Sequence, residues 1–384
     1  MKKDTLLTQI GRNPAKTEGT VNTPVYRTST VVFPNLEEFE TRDHNDYKIM
    51  RYGIYGTPTT FALESAVATM EGGYAAVALP SGLAAITAAL SALLKHGDHL
   101  LMTDSTYGPT RNFCETQLRA NGIAVDYYDP CIGSQIASLI RPNTKVVYCE
   151  APGSLTFEMQ DIPAIAAVAH SHGIPVLADN TWGTPYFFQS LAHGVDISIH
   201  AATKYIAGHS DVMMGMIVTN ERYWLPIRKV VADFGFCVSP DDCYLALRGF
   251  RTIGVRMKQQ MANALCVAQW LEHHPKVLRV LYPALASDPG HAIWQRDFEG
   301  AASLFGVILQ PYSRAQVTTL VNALALFGIG SSWGGYESLI TAPNPETIRT
   351  AKPWQPGGPI LRLHIGLEDP SDLIADLEQA LSTL

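Results

Sequence analysis

From residue 75 onward the chain alternates short apolar runs with longer stretches of helical spacing. Ala75–Leu79, His99–Met102, Ala124–Tyr128, Lys145–Glu150, Val176–Asp179 and Ile197–His200 have the length and apolar content of strands, whereas Leu83–Leu94 and Ile162–His172 read as helices between them. This alternation predicts an α/β fold with a mostly parallel sheet covered on both faces. Met213–Thr219 resembles a returning strand, and Asp241–Leu271 is expected to form one long helix. Two prolines and a glycine within Tyr282–Gly290 suggest a boundary. Beyond it, strands at Leu304–Leu309 and Leu361–His364 and helices near Arg314–Ala325 and Pro370–Thr383 predict a smaller α+β unit. The first fifty residues are mixed, with Pro24, Pro34 and a charged run from Glu37 to Lys48.

Length and composition narrow the class. A chain of 384 residues exceeds one ordinary core and suggests two or three domains, and 47% hydrophobic against 16% charged residues fits a compact globule rather than a disordered chain. A net charge of -7 without a long basic run argues against a nucleic-acid partner. No apolar window reaches the roughly 18 residues of a membrane span, and the amino terminus has no signal-length apolar run, so a cytoplasmic location with no membrane partner is expected. The cysteines at 114, 131, 149, 237, 243 and 266 have neither zinc nor disulfide spacing and are expected as buried thiols. The spacings of the histidines at 170, 172, 200 and 209 do not suggest a metal, and glycine motifs for dinucleotides or nucleoside triphosphates are missing.

Candidate chemistry gathers at strand ends. Lys204, in SIHAATKYIAGHSD, stands between a strand and a glycine turn. An amine partly withdrawn from water there loses charge and can attack a carbonyl, although most lysines beside a strand end are solvated surface charges. Asp179 closes the apolar run of VLADNTW at the carboxyl end of a strand, where open α/β sheets place ligands; a helix cap or turn residue is the plainer reading. A lysine for an aldehyde and an acid for a ring nitrogen are the two groups that pyridoxal phosphate requires. Ser81-Gly82, between a strand and a helix, would leave the N–H groups of Gly82 and Leu83 as phosphate donors, or simply make a tight turn. Tyr107 follows the second strand and could lie on a cofactor ring or on the surface. Arg362 alternates with Leu361 and Leu363, and its fork suits either an α-carboxylate or an interior acid.

With these residues in place, the chain resembles the cystathionine and methionine metabolism family of pyridoxal-phosphate enzymes, of fold type I. The matching stretches are YGTPTTFALE, ALPSGLAAI, TDSTYGPT, EAPGSLTFE, LADNTW, AATKYIAGHSD, LRGFRTIGVR, SSWGGYESL and LRLHIGLED. The resemblance implies a neighbour-contacting arm at 1–55, a cofactor-binding domain at 56–245 and a carboxyl-terminal domain at 246–384. It implies that Lys204 carries the cofactor and acts as base, that Asp179, Tyr107, Gly82, Leu83 and Thr203 surround it, and that Arg362, Ser332 and Trp333 hold the substrate carboxylate. Tyr52 would reach the neighbour's cofactor and substrate in a homotetramer built from dimers. The implied reaction is carbon–sulfur cleavage at the β-carbon of a small amino acid such as cystathionine. Another reaction on the same fold (a cysteine desulfhydrase, a γ-lyase or γ-synthase, an amino-acid racemase) is the alternative, and a non-catalytic binding protein a more distant one. Three positions depart from the pattern: Ile54 where the family usually has a phosphate-binding arginine, Ala202 where many members have serine, and Ser331 where γ-specific members carry glutamate. Arg51 is the expected substitute for the missing arginine.

Overall fold

The computed structural model describes residues 1–43 and 46–384; His44 and Asn45, within the charged run, lie outside the described residues. Seven strands, β1 (Ala75–Leu79), β2 (His99–Thr103), β3 (Ala124–Tyr128), β4 (Thr144–Glu150), β5 (Val176–Asp179), β6 (Ile197–His200) and β7 (Gly215–Thr219), form one sheet in the order β1-β7-β6-β5-β4-β2-β3. β2 to β6 run parallel, and β7 is antiparallel to both of its neighbours. Central strands are buried on both faces because both are covered: helices Pro58–Glu71 and Ile162–Ser171 pack on one side, Gly82–Leu93 and Glu221–Asp233 on the other.

A second sheet has the order β10-β11-β12-β9-β8, from β8 (Val277–Leu281), β9 (Leu304–Leu309), β10 (Gly328–Ile329), β11 (Leu339–Thr341) and β12 (Ile360–His364). Helices Ile253–Glu272, Arg314–Ala323 and Pro370–Leu381 accompany it. Since β8 pairs with β9 across Tyr282–Gly290, that stretch is a loop inside this unit and not a boundary. Among the described residues no helix is long and apolar enough to cross a membrane.

The expected single helix over Asp241–Leu271 is two, Pro240–Arg251 and Ile253–Glu272, broken at Thr252. The break lets Arg256 Nη2 donate to both Gly249 O and Tyr205 O, each at 2.8 Å, tying the helix pair to the turn that follows Lys204. Gly208 lies in that turn at φ +69, and a Cβ there would meet the Arg256 guanidinium at 1.9 Å. The amino-terminal segment is also not wholly free of its own chain. Leu7 is buried, Arg251 Nη1 donates to Leu7 O, and Thr59 Oγ1 donates to Pro24 O. All six cysteines are free thiols, but Cys131, Cys237 and Cys266 are exposed rather than buried.

Candidate active site

The carboxyl ends of β4, β5 and β6 open into a cavity of about 410 Å³ whose lining includes Gly82, Leu83, Tyr107, Glu150, Asp179, Thr203, Lys204, Trp333 and Arg362. Most of the residues singled out from the sequence therefore share one space. Lys204 sits in a tight turn after β6, braced by Lys204 N–H on Ala201 O and Gly208 N–H on Lys204 O. Its Nζ donates to Ser332 Oγ at 2.7 Å and stands 5.2 Å from the centroid of the Trp333 ring. Burial, reinforced by the Arg362 guanidinium and partly opposed by Asp179, lowers the ammonium to about 8. A substantial neutral, nucleophilic fraction is thus present slightly above neutral pH.

Asp179 ends β5 and accepts from Thr181 N–H at 3.0 Å and from Thr181 O–H at 2.5 Å. Thr181 Oγ1 in turn accepts Ala201 N–H at 2.8 Å, so this one hydroxyl joins the acid to the lysine turn. Burial raises the Asp179 pKa, and the Thr181 bonds, His200 and Lys204 offset only part of the rise. Beside it, Glu150 closes β4 and is shifted well upward by burial and by the charge of Asp179. Neither Thr181 nor Glu150 was anticipated. Glu150 ends an apolar strand as Asp179 does, and that pattern is the signal by which the sequence could have given it.

At the start of helix Gly82–Leu93, Ser81 Oγ accepts Ala84 N–H at 3.0 Å. The N–H groups of Gly82 and Leu83 precede any intrahelical acceptor and border the cavity, an arrangement that suits an anion. A Cβ on Gly82 would lie 2.6 Å from Ala201 Cβ, so the helix start and the lysine turn approach as closely as they do only because residue 82 is glycine. Tyr107 presents its ring to the cavity while its N–H donates to Glu150 Oε2 at 2.8 Å. Burial, Asp179 and Glu150 raise its phenol against the pull of Arg362. Arg362, on β12, uses Nη2 alone, toward Ser331 O at 2.9 Å and Gly330 O and Ser332 O at 3.3 Å. Among the described residues no carboxylate pairs with it, which disfavours the structural ion pair.

Thr203 lines the cavity, but its hydroxyl is engaged within the chain. Thr203 Oγ1 donates to Met214 O at 3.1 Å and accepts Met214 N–H at 2.9 Å, so its hydroxyl proton braces the turn instead of pointing at a ligand. Tyr52 is 47% exposed and does not border the cavity of its own chain; its backbone bridges Thr30. Arg51 donates to Asp43 O at 3.0 Å and lies over the rings of Tyr47 and Tyr55, and Ile54 lies by Arg228 and Glu64, also outside the cavity. Among the described residues no cluster of His, Cys, Asp or Glu could hold a metal.

The family described as Cys/Met metabolism PLP-dependent enzyme matches residues 4–382. The chain belongs to this family. It is 41% identical over 392 residues to cystathionine beta-lyase MetC of Escherichia coli K12, covering 100% of this chain and 99% of that protein. It is 39% identical over 396 residues to an L-alanine/L-glutamate racemase of Wolbachia pipientis wMel, covering 100% and 98%. The crystal structure of metB from Corynebacterium glutamicum has 31% sequence identity and superposes with a TM-score of 0.91, covering 100% of this chain and 98% of that one. Pyridoxal phosphate, the family's cofactor, fits the cavity's donor set: an amine of lowered pKa, a half-buried acid, a stacking ring and a glycine-opened helix terminus.

Proposed function

We propose that this enzyme is a carbon–sulfur β-lyase that converts cystathionine and water to homocysteine, pyruvate and ammonia. The observation that carries the reading is Lys204, its Nζ hydrogen-bonded to Ser332 Oγ, in one cavity with Asp179 and Arg362. Relatives named cystathionine beta-lyase at 41% identity over the whole chain support it. When bound, pyridoxal phosphate supplies an electron sink for charge left at the substrate α-carbon.

The chain's own groups do the rest. The free Nη1 and Nε face of Arg362 grips the α-carboxylate, and the Ser332 hydroxyl holds the lysine amine in line. Neutral Lys204 takes the α-proton and, as its ammonium, returns a proton to the departing sulfur. Asp179 would supply the negative charge that keeps a ring nitrogen protonated, and Tyr107 would stack on the ring. Gly82 and Leu83 N–H receive the phosphate. The loop at 330–333 brings serines and a tryptophan rather than an acid, which favours β- over γ-chemistry by leaving no carboxyl to shuttle a proton further along the substrate.

The same reading gives the arm at 1–55 to a partner subunit, in a tetramer of paired dimers. Val21, Val32, Leu36, Phe39, Ile49 and Tyr52 are all exposed in the single chain, an apolar series that a second copy would cover. Tyr52 and Arg51 would then meet the phosphate of the neighbour. The deciding experiment incubates the cofactor-loaded protein with cystathionine and separates the products. Homocysteine with pyruvate supports the proposal; cysteine with 2-oxobutyrate shows γ-cleavage, and no cleavage together with D-alanine formation from L-alanine shows a racemase.

A further inference from the structure

Glu150 and Asp179 are Cα partners on adjacent parallel strands, so their backbones are about 4.8 Å apart and their side chains leave the same face of the sheet. Both line the cavity. Two carboxylates on paired strand positions, each only partly exposed at the wall of one cavity, do not readily both ionise, and one of the pair keeps a proton. Their partners decide which. Asp179 accepts two Thr181 bonds and has Lys204 and His200 as neighbouring bases. Among the described residues no cation pairs with Glu150: its Oε2 accepts Tyr107 N–H at 2.8 Å and Thr106 O–H at 3.2 Å. Its main chain is fixed as well, because Gln160 Nε2 donates to Glu150 O at 2.6 Å.

We propose that Glu150 is a positioning residue that carries the proton of this pair, holding Tyr107 by its backbone N–H while leaving the negative charge on Asp179. Burial and the Asp179 charge both act on Glu150 in the required direction. The arrangement answers a problem posed by the site. A carboxylate at position 150 would repel Asp179 and draw a bound cation toward the wrong strand, whereas an apolar residue would leave Tyr107 N–H without its acceptor. A protonated carboxyl avoids both. The ionisable groups facing Glu150 are Asp179 from β5, Tyr107 from the loop after β2 and buried Tyr148 on its own strand, with His200, Lys204 and Arg362 acting through Asp179 and Tyr107.

This inference extends the reading of Asp179 as the charged partner of the cofactor, but its first test does not depend on turnover. Infrared spectra of protein carrying carboxyl-labelled glutamate, wild type minus Glu150→Gln at neutral pH, should show the carbonyl band of a protonated acid. A carboxylate band at that position overturns the proposal whatever reaction the enzyme catalyses. Glu150→Gln, neutral and of the same shape, should keep kcat/KM within about threefold and leave its pH profile in place, while Glu150→Ala should lose about tenfold in kcat through release of one backbone hydrogen bond. A Gln variant as impaired as the Ala variant, or one with a displaced pH profile, also overturns it.

Discussion

Asp104, buried, and Asp179, half-buried, both stand at the carboxyl ends of parallel strands, and the molecule treats them in opposite ways. Asp104 is met by Arg111 Nη2 at 2.5 Å, Arg349 Nε at 3.0 Å, and the N–H groups of Thr350 and Ala351 at 3.0 and 2.9 Å. Burial alone would raise its pKa, but these donors outweigh it and hold the acid below its ordinary value. Arg349 also reaches Glu158 at 2.9 Å, so the cluster ties the segment before β12 to the loop that carries Tyr107. Asp179 has one threonine and an open side toward the cavity. A saturated buried charge serves the fold, and one left short of donors is poised for a ligand.

The largest effect should come from the group that the underpaired acid serves. Lys204→Ala is expected to reduce turnover by about 10⁴-fold or more, since it removes both the amine that carries the cofactor and the proton shuttle. Cofactor colour should no longer survive dialysis, and the unfolding midpoint should stay in place. A borohydride-reducible adduct persisting in this variant would move the role to another lysine.

Exchanging charge for amide at the two aspartates separates their tasks. Asp104→Asn turns an NH₂ toward donors and leaves Arg111 without its anion and Arg349 with Glu158 alone, at an expected cost of about 3–5 kcal/mol in denaturant unfolding. Asp179→Asn should leave that stability intact but reduce turnover by about 10²-fold, because an amide cannot keep a ring nitrogen protonated. If both variants lose stability alike, the contrast between the two acids is broken.

Arg362→Leu should have a smaller and different signature. Its contact exists in the ground state as well as the transition state, so KM for the amino acid is expected to rise about tenfold to a hundredfold with little change in kcat. An unchanged KM would assign the guanidinium to the carbonyls of 330–332 alone.

These contrasts also mark where the sequence could be read. Strands such as Ala75–Leu79, Val176–Asp179 and Leu304–Leu309 coincide with their apolar runs because each run is bounded by turn or polar residues. The helix break at Thr252 was hidden, since the contact it permits, Arg256 reaching Tyr205, joins segments distant in the chain. Asp104 and Asp179 look alike locally, as acids after apolar runs. The donors that distinguish them come from Arg111 and residues 349–351 in one case and from the nearby Thr181 in the other, so only the second set lay wholly within sight of a local pattern. Thr203 likewise matched a motif, while its hydroxyl is engaged by Met214, which only the return of β7 makes visible.

The smallest expected effect is the acid dependence of stability in the cofactor-free protein, and the two aspartates should contribute with opposite signs. For Asp104 the folded pKa lies below the ordinary 3.8, so its contribution is present above that value and is lost as pH falls through the folded pKa. For Asp179 the folded pKa lies above 3.8, so its contribution is present below that value and is lost as pH rises through the folded pKa. Glu150, also raised, adds to the second trend. Asp104→Asn should therefore flatten the gain in unfolding free energy between strongly acid and weakly acid solution. Asp179→Asn should steepen it and leave the empty protein at least as stable as wild type at neutral pH. Denaturant titrations across that range decide the matter: an Asp179→Asn protein less stable than wild type at neutral pH would mean that the acid is already satisfied without a ligand, and that its position at the cavity wall is not strained by an uncompensated charge.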